Sequence, residues 1–214
     1  MPKNGVALTA QYKTLRNIVV NNGTYTVNGT AAAEAVKGDR IVATAQDAPA
    51  GTKFAGWTAT GISLTEEQQK SPVVEFVMPK NAVELTAQYK TLHPVTVTNG
   101  KVDKPTAVAG DTVTITAESR PGYVFDRWEV NNGDVAVVNK NAEETTFVMP
   151  NEPVTAVAKY KKLLGITVNS GKAYVEDAVT DAALKGKTVV IKADKIEGKR
   201  FDHWKICLLY TSDA

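Results

Sequence analysis

Residues 1–15 (MPKNGVALTAQYKTL) return almost letter for letter at 78–92 (MPKNAVELTAQYKTL), and a looser copy, MPNEPVTAVAKYKKL, follows at 149–163. Self-similarity at a fixed period constrains a fold more than any single motif, because each copy must form the same supersecondary unit and stack on its neighbours. A chain that opens on what is elsewhere the end of a repeat is expected to enter part-way through one, with Met1 an internal methionine read as a start. The absence of a secretory leader then says nothing about location.

Overlaying the copies divides the chain into 1–15, the closing strand of a truncated preceding repeat; 16–91 and 92–162, two complete repeats; 163–206, a truncated third; and 207–214, an off-pattern tail. Four landmarks recur in order. An apolar strand ends at a turn, with Ile18–Val20 before Asn22-Gly23, Val95–Val97 before Asn99-Gly100 and Ile166–Val168 before Ser170-Gly171. A second strand opens after Gly38, Gly110 and Gly186. The pattern G-x-x-F-x-x-W follows at Gly51/Phe54/Trp57, Gly122/Phe125/Trp128 and Gly198/Phe201/Trp204. Each complete unit closes with F-V-M-P and a strand ending Tyr-Lys, at Phe76–Lys90 and Phe147–Lys161, and the step from Trp to Met is 21 residues in both.

Inside the units the apolar period is two. The matched positions Ile41, Ala43, Ala45; Val113, Ile115, Ala117; and Val189, Ile191, Ala193 are interleaved mainly with Thr, Lys and Val. Val83, Leu85, Ala87 and Tyr89 likewise alternate with Glu84, Thr86 and Gln88. Successive strand side chains point to opposite faces, so this alternation predicts half-buried antiparallel strands, with Ile41, Val113, Ile115, Leu85, Tyr89 and Tyr160 inside and Thr112, Thr114, Glu84 and Gln88 outside. Only Thr30–Val36 and Ala178–Leu184 read as helical, and each is too short to stand alone. Val- and Thr-rich strands punctuated by Gly, Asn, Asp and Pro predict an all-β chain of tandem small antiparallel β-sandwich-like modules.

Composition agrees. In 214 residues, 43% hydrophobic and 22% charged residues are globular values, and a net charge of +2 with scattered Lys gives no footprint for nucleic acid or an anionic membrane. No apolar run approaches the roughly 18 residues needed for a spanning helix. After Trp204 the polar, glycine-containing pattern of Trp57–Gly61 and Trp128–Gly133 gives way to Lys205-Ile206 and CLLYTSDA, a tail expected to be translated adapter read-through. The single cysteine, Cys207, lies there and is not read as a nucleophile or ligand; a chain otherwise free of cysteine is compatible with secretion.

The combination of G-x-x-F-x-x-W, F-V-M-P and an alternating strand ending Ala-x-Tyr-Lys resembles the divergent internalin-B-type B-repeat family, and its organisation is similar to the broader Listeria–Bacteroides repeat group. The resemblance covers nearly all of residues 1–206. It implies extracellular or cell-wall-attached bacterial proteins with such modules in tandem, as stalks or adhesive parts, and it supplies no catalytic residues. It also implies β-grasp-like modules with a helix as the alternative fold; with no convincing helix in sequence, the purely β arrangement is preferred.

Trp57, Trp128 and Trp204 are the candidate ligand face, since an exposed indole can stack on a sugar or a protein; packing inside a small module is the competing role. Phe and Trp three apart would face opposite sides of a regular strand, and a bulge at Gly56 could turn both inward, but Arg127 and His203 occupy that place in the other copies. His93 and His203 lack convergent partners, no G-x-S-x-G elbow exists, and Asn131–Asp134 reads as a tight turn rather than a calcium loop. Asp126-Arg127 and Asp202-His203 read as solvated edges. No catalytic residue, metal or cofactor is expected. The expected function is a non-catalytic spacer or adhesive scaffold at a bacterial cell surface, the rival being a carbohydrate- or protein-binding module that uses the Trp face. Expected partners are neighbouring repeats and a surface or host glycan or protein. A further expected partner is a second copy of the chain, through strand addition by residues 1–13, whose Val6, Leu8, Ala10 and Tyr12 share a face.

Overall fold

The alternating segments form strands nearly everywhere in the computed structural model, which describes residues 7–131 and 135–206. The first unit comprises β1 (Leu15–Asn21), β2 (Gly23–Val27), β3 (Glu34–Val36), β4 (Arg40–Ala45), β5 (Thr52–Thr60), α1 (Glu66–Lys70), β6 (Val73–Val77) and the first half of β7 (Val83–Thr98). One sheet is the antiparallel set β2-β4-β6, registered by Val27↔Ile41↔Phe76. The other sets β5 and β1 on either side of β7, with β3 beyond β1. Side chains from both sheets meet between them. Ile41, Ala43 and Val74 come from the first sheet, and Ile18, Trp57, Val83, Leu85 and Ala87 from the second; Met78 completes the core. This is a small sandwich, and the period-two alternation selects its inner faces.

The second unit repeats the plan. Its antiparallel sheet consists of β8 (Gly100–Val102), β10 (Thr112–Ala117) and β12 (Glu144–Val148). Its second sheet joins β11 (Tyr123–Asn131) and β13 (Val154–Gly165) to the far half of β7, which also pairs with β9 (Thr106–Val108). Val113, Ile115, Phe147, Met149, Val154 and Ala156 form the core with Trp128. Val113, Ile115, Ile41 and Leu85 are fully buried and Thr112, Glu84 and Gln88 exposed, as the alternation predicts. Tyr89, Tyr160 and Thr114 are half-buried instead, because each tyrosine ring spans the open end of the sandwich and Thr114 is flanked by paired neighbours.

Two features depart from the sequence expectation. The opening and closing strands of each unit are parallel, Ile18–Asn21 with Val83–Thr86 and Val95–Thr98 with Val154–Val157. Connectivity is the reason. The strand that closes one unit runs on to open the next, so both point the same way, and the rest of the unit is the long crossover that parallel neighbours require. The second departure is helix. Thr30–Val36 is a bridge and turn followed by β3, and Ala178–Leu184 is split into β15 (Ala178–Thr180) and β16 (Ala182–Leu184). Pairing of Ala35 with Arg16, and of Ala183 with Leu164, buries these alanines and outweighs their helix propensity. The described residues hold one helix, α1, where Thr65 and Gln68 close a reciprocal capping box.

The units share strands outright. In β7, Thr91 pairs with Thr52 of the first unit and the very next residue, Leu92, pairs with Val108 of the second. In β13, Lys162 pairs with Tyr123 and Leu163 with Leu184 of the third. No residue is left over to act as a linker at either junction.

The glycine of each Asn-Gly or Ser-Gly turn has a packing role. A Cβ on Gly100 would lie 2.6 Å from the ring edge of Trp128 and 2.8 Å from the Thr116 carbonyl, and one on Gly23 3.1 Å from Trp57 and 2.6 Å from the Thr44 carbonyl. Because the backbone oxygen cannot yield, Gly100→Ala is expected to cost about 1–3 kcal/mol, measured as a lower denaturant midpoint of the second unit at unchanged slope.

The third unit has β14 (Gly171–Val175) between β15 and β17 (Val190–Ala193), with β16 on the end of β13. Residues 166–168 and 201–206 form no strand.

Candidate functional site

The G-x-x-F-x-x-W segment becomes β5 in the first unit and β11 in the second, and a bulge turns both aromatic residues inward. Phe54 pairs with Tyr89 and Gly56 with Gln88, leaving Ala55 over; Phe125 pairs with Tyr160 and Arg127 with Lys159, leaving Asp126 over. One extra residue flips the strand's facing, so Phe and Trp share a side despite their odd spacing. Glycine is not required for this, since Arg127 takes its place. Gly56 answers to a local need: its φ is +132°, and a Cβ there would come within 3.0 Å of the Gln69 carbonyl of α1, an element with no counterpart among the described residues of the second unit.

Around each Trp the same contacts recur. Phe54 meets Trp57 at 5.9 Å and Tyr89 edge-on at 6.0 Å; Phe125 meets Trp128 at 5.8 Å and Tyr160 at 5.9 Å. The indole N–H of Trp57 donates to the Ser71 carbonyl at 2.9 Å, and that of Trp128 to Ala142 at 3.1 Å. The Tyr89 hydroxyl donates to the Gln46 carbonyl and Tyr160 to that of Glu118, tying the closing strand to the loop after β4 or β10. Burial, reinforced by the charges of Glu118 and Glu143, pushes the Tyr160 phenol above its usual range. Trp57 and Trp128 are 5% and 3% exposed and present no free ring face, whereas Trp204 is 37% exposed. It meets Phe201 at 5.3 Å on the wall of a groove of about 850 Å³ in the third unit.

The remaining polar features are surface ladders. Arg127 bridges Asp126 and Glu129, and Lys161 and Lys159 reach the same two carboxylates at 2.6 and 3.2 Å. Hydrogen bonds from Lys161 hold the Asp126 carboxyl below its ordinary value, and those from Lys159 do the same for Glu129. In the first unit Arg40 of β4 and Glu75 of β6 pair on the other sheet. Exposed pairs of this kind contribute little stability and offer no proton donor poised for catalysis. His93 is half-buried, 3.2 Å from the Asn151 amide oxygen, and His203 is exposed beside Asp202. No group of three His, Cys, Asp or Glu side chains among the described residues is placed to hold a metal ion, and no helix among them is long and apolar enough to cross a membrane. The Asn132–Asp134 part of the proposed turn and Cys207 lie outside the described residues.

Sequence reasoning raised the bulge at Gly56 but not its recurrence at Arg127, and it missed two things that carry recognisable signals: the capping box T-E-E-Q, and the pairing of turn glycine with indole, visible as the co-occurrence of Gly and Trp in each unit. Compared with known families, the chain matches the model of the divergent InlB B-repeat domain twice in tandem, over residues 17–93 and 91–163. No curated protein matches it.

Proposed function

Because the chain belongs to the divergent InlB B-repeat domain family, a non-catalytic repeat family of bacterial surface proteins, we propose that it is a spacer that holds neighbouring parts of an extracellular or cell-wall-attached protein at a set distance and orientation. The single observation that carries this is the sharing of β7 and β13 between units, with adjacent residues paired to different modules. A strand paired on both sides of a junction cannot swivel there without breaking ladder hydrogen bonds, whereas a Gly/Ser linker of even a few residues would let the modules tumble.

The burial and hydrogen bonding of Trp57 and Trp128 support a packing role for the first two indoles over a glycan-stacking one. Any adhesive contact would then use the outer sheet faces.

A distance measurement tests the spacer reading. With Cys207 replaced by Ser, spin labels at Glu67→Cys and Asn141→Cys, both exposed, report the separation of the two units. A narrow distance distribution is expected, broadening markedly when Gly-Ser-Gly-Ser is inserted between Thr91 and Leu92. A native distribution already as broad as that of the insertion variant would overturn the proposal.

A further inference from the structure

The turn after the opening strand of each complete unit is locked by its neighbours and chemically labile once released. Asn22 and Asn99 hold a left-handed backbone, with φ of 56° and 60°, a conformation asparagine accepts more readily than most residues. The next position is closed to any side chain, because a Cβ on Gly23 would meet the Thr44 carbonyl and Trp57, and one on Gly100 the Thr116 carbonyl and Trp128. Turn geometry and indole packing together therefore favour Asn-Gly at both places. In that dipeptide the side-chain amide is most open to attack by the following backbone nitrogen, since glycine puts nothing in the way.

In the closed module the attack is blocked. The Asn22 side-chain amide donates to the Ala87 carbonyl at 3.1 Å and that of Asn99 to the Ala158 carbonyl at 3.3 Å, both on the closing strand. The backbone carbonyls of the turn are held as well. That of Asn22 accepts from the Gln46 N–H at 2.8 Å with the Tyr89 hydroxyl 3.4 Å away, and that of Asn99 from the Glu118 N–H at 3.1 Å with the Tyr160 hydroxyl 3.0 Å away. Cyclisation needs the amide carbon to swing back onto its own main chain and the Asn–Gly peptide to rotate, which breaks these bonds. The closing strand supplies the partner of the amide and the tyrosine, so its departure removes both restraints. Asn28-Gly29 is held in another way. Its amide group donates to Asp39 Oδ1 and accepts from the Arg40 N–H, both at 2.9 Å, and neither partner belongs to the closing strand.

We propose that Asn22 and Asn99 are deamidation sites gated by the closing strand, so that a module held open is covalently marked and closes less firmly afterwards. When the strand leaves, the nitrogen of Gly23 or Gly100 gives its proton to water and attacks the asparagine Cγ. The Cγ–Nδ2 bond breaks, ammonia departs and a five-membered imide remains. Water then opens the imide at either carbonyl, giving aspartate or, with the main chain rerouted through the side-chain carbon, isoaspartate. Either product replaces an N–H donor by a carboxylate, so acceptor faces acceptor when the closing strand returns. Isoaspartate also lengthens the main chain beside a glycine that has no room for a methyl group. In the third unit the same place is Ser170, with φ of 58°, which has no amide to lose.

Peptide mass mapping of the whole chain, incubated in buffer and in strong denaturant at one mildly alkaline pH under reducing conditions, tests this. In denaturant Asn22, Asn28 and Asn99 should convert at similar rates; in buffer Asn22 and Asn99 should be slowed by about a hundredfold or more. At intermediate denaturant the two should convert in step with hydrogen exchange of the closing-strand amides of their own unit. After prolonged unfolding the parent should regain less of its native tryptophan emission than after brief unfolding. The double variant Asn22→Ser, Asn99→Ser, which takes the residue found at this turn in the third unit, should recover equally after both. Conversion of Asn22 or Asn99 in buffer as fast as in denaturant overturns the proposal. So does a double variant whose recovery decays as the parent's does, or a parent whose recovery stays complete after both sites have converted.

Discussion

Ile115→Ala is expected to lower the stability of the second unit by about 2–5 kcal/mol, while Ile191→Ala, the same repeat position in the third unit, should cost less than about 1 kcal/mol. The chemistry deleted is identical, so the difference isolates the environment. Ile115 is sealed between β10 and the closing strand β13, and removing three carbons there loses their transfer free energy and leaves a cavity. Ile191 has water on one side, so truncation exposes little new apolar surface and opens no void. Denaturant unfolding followed by hydrogen exchange resolved by unit measures both. Equal costs at the two sites would mean that the third unit's core is closed after all. In the same experiment Thr114→Ala should change stability by less than about 0.5 kcal/mol, since its neighbours in the strand, not Thr114, carry the inner face.

Trp128→Ala should be the most damaging single change in the second unit, at about 3–5 kcal/mol, and Trp128→Phe should recover part of that loss. The ring fills the space between the Gly100 turn and Phe125, and its N–H anchors the loop before β12 through the Ala142 carbonyl. Phenylalanine restores apolar volume but strands that carbonyl, a cost of about 1–3 kcal/mol. Thermal and denaturant unfolding give the magnitudes. A variant that keeps the parent's stability but loses retention on a glycan surface would reverse the interpretation and make the indole a ligand platform.

What the sequence reveals here is set by what is local. The strands, the inward list Ile41, Val113, Ile115 and Leu85, and the equivalence of the two complete units follow from period-two alternation repeated in register, since each copy independently votes for the same faces. The parallel contacts between β1 and β7 and between β7 and β13 are invisible to such reasoning because pairing direction depends on where the chain returns after about 60 intervening residues. The alanine-rich stretches mislead for a related reason. Taken alone, Thr30–Val36 prefers helix; only its partner in β1, some 20 residues earlier, makes it a strand. For the Trp positions the spacing contradicts a regular strand, and the bulge that resolves the contradiction uses Asp126 in one copy and Ala55 in the other, so no residue type announces it.

The shared strands also fix how tension passes through the molecule. A pull enters the first unit at the start of β1 and leaves it at the end of its segment of β7, and these two neighbours are parallel over Ile18–Asn21 and Val83–Thr86. Parallel partners drawn from opposite ends slide along one another, so their cross-strand bonds are strained together in shear rather than peeled one by one. The second unit presents the same geometry between Val95–Thr98 and Val154–Val157, so each of these two modules resists extension through a parallel pair loaded in shear.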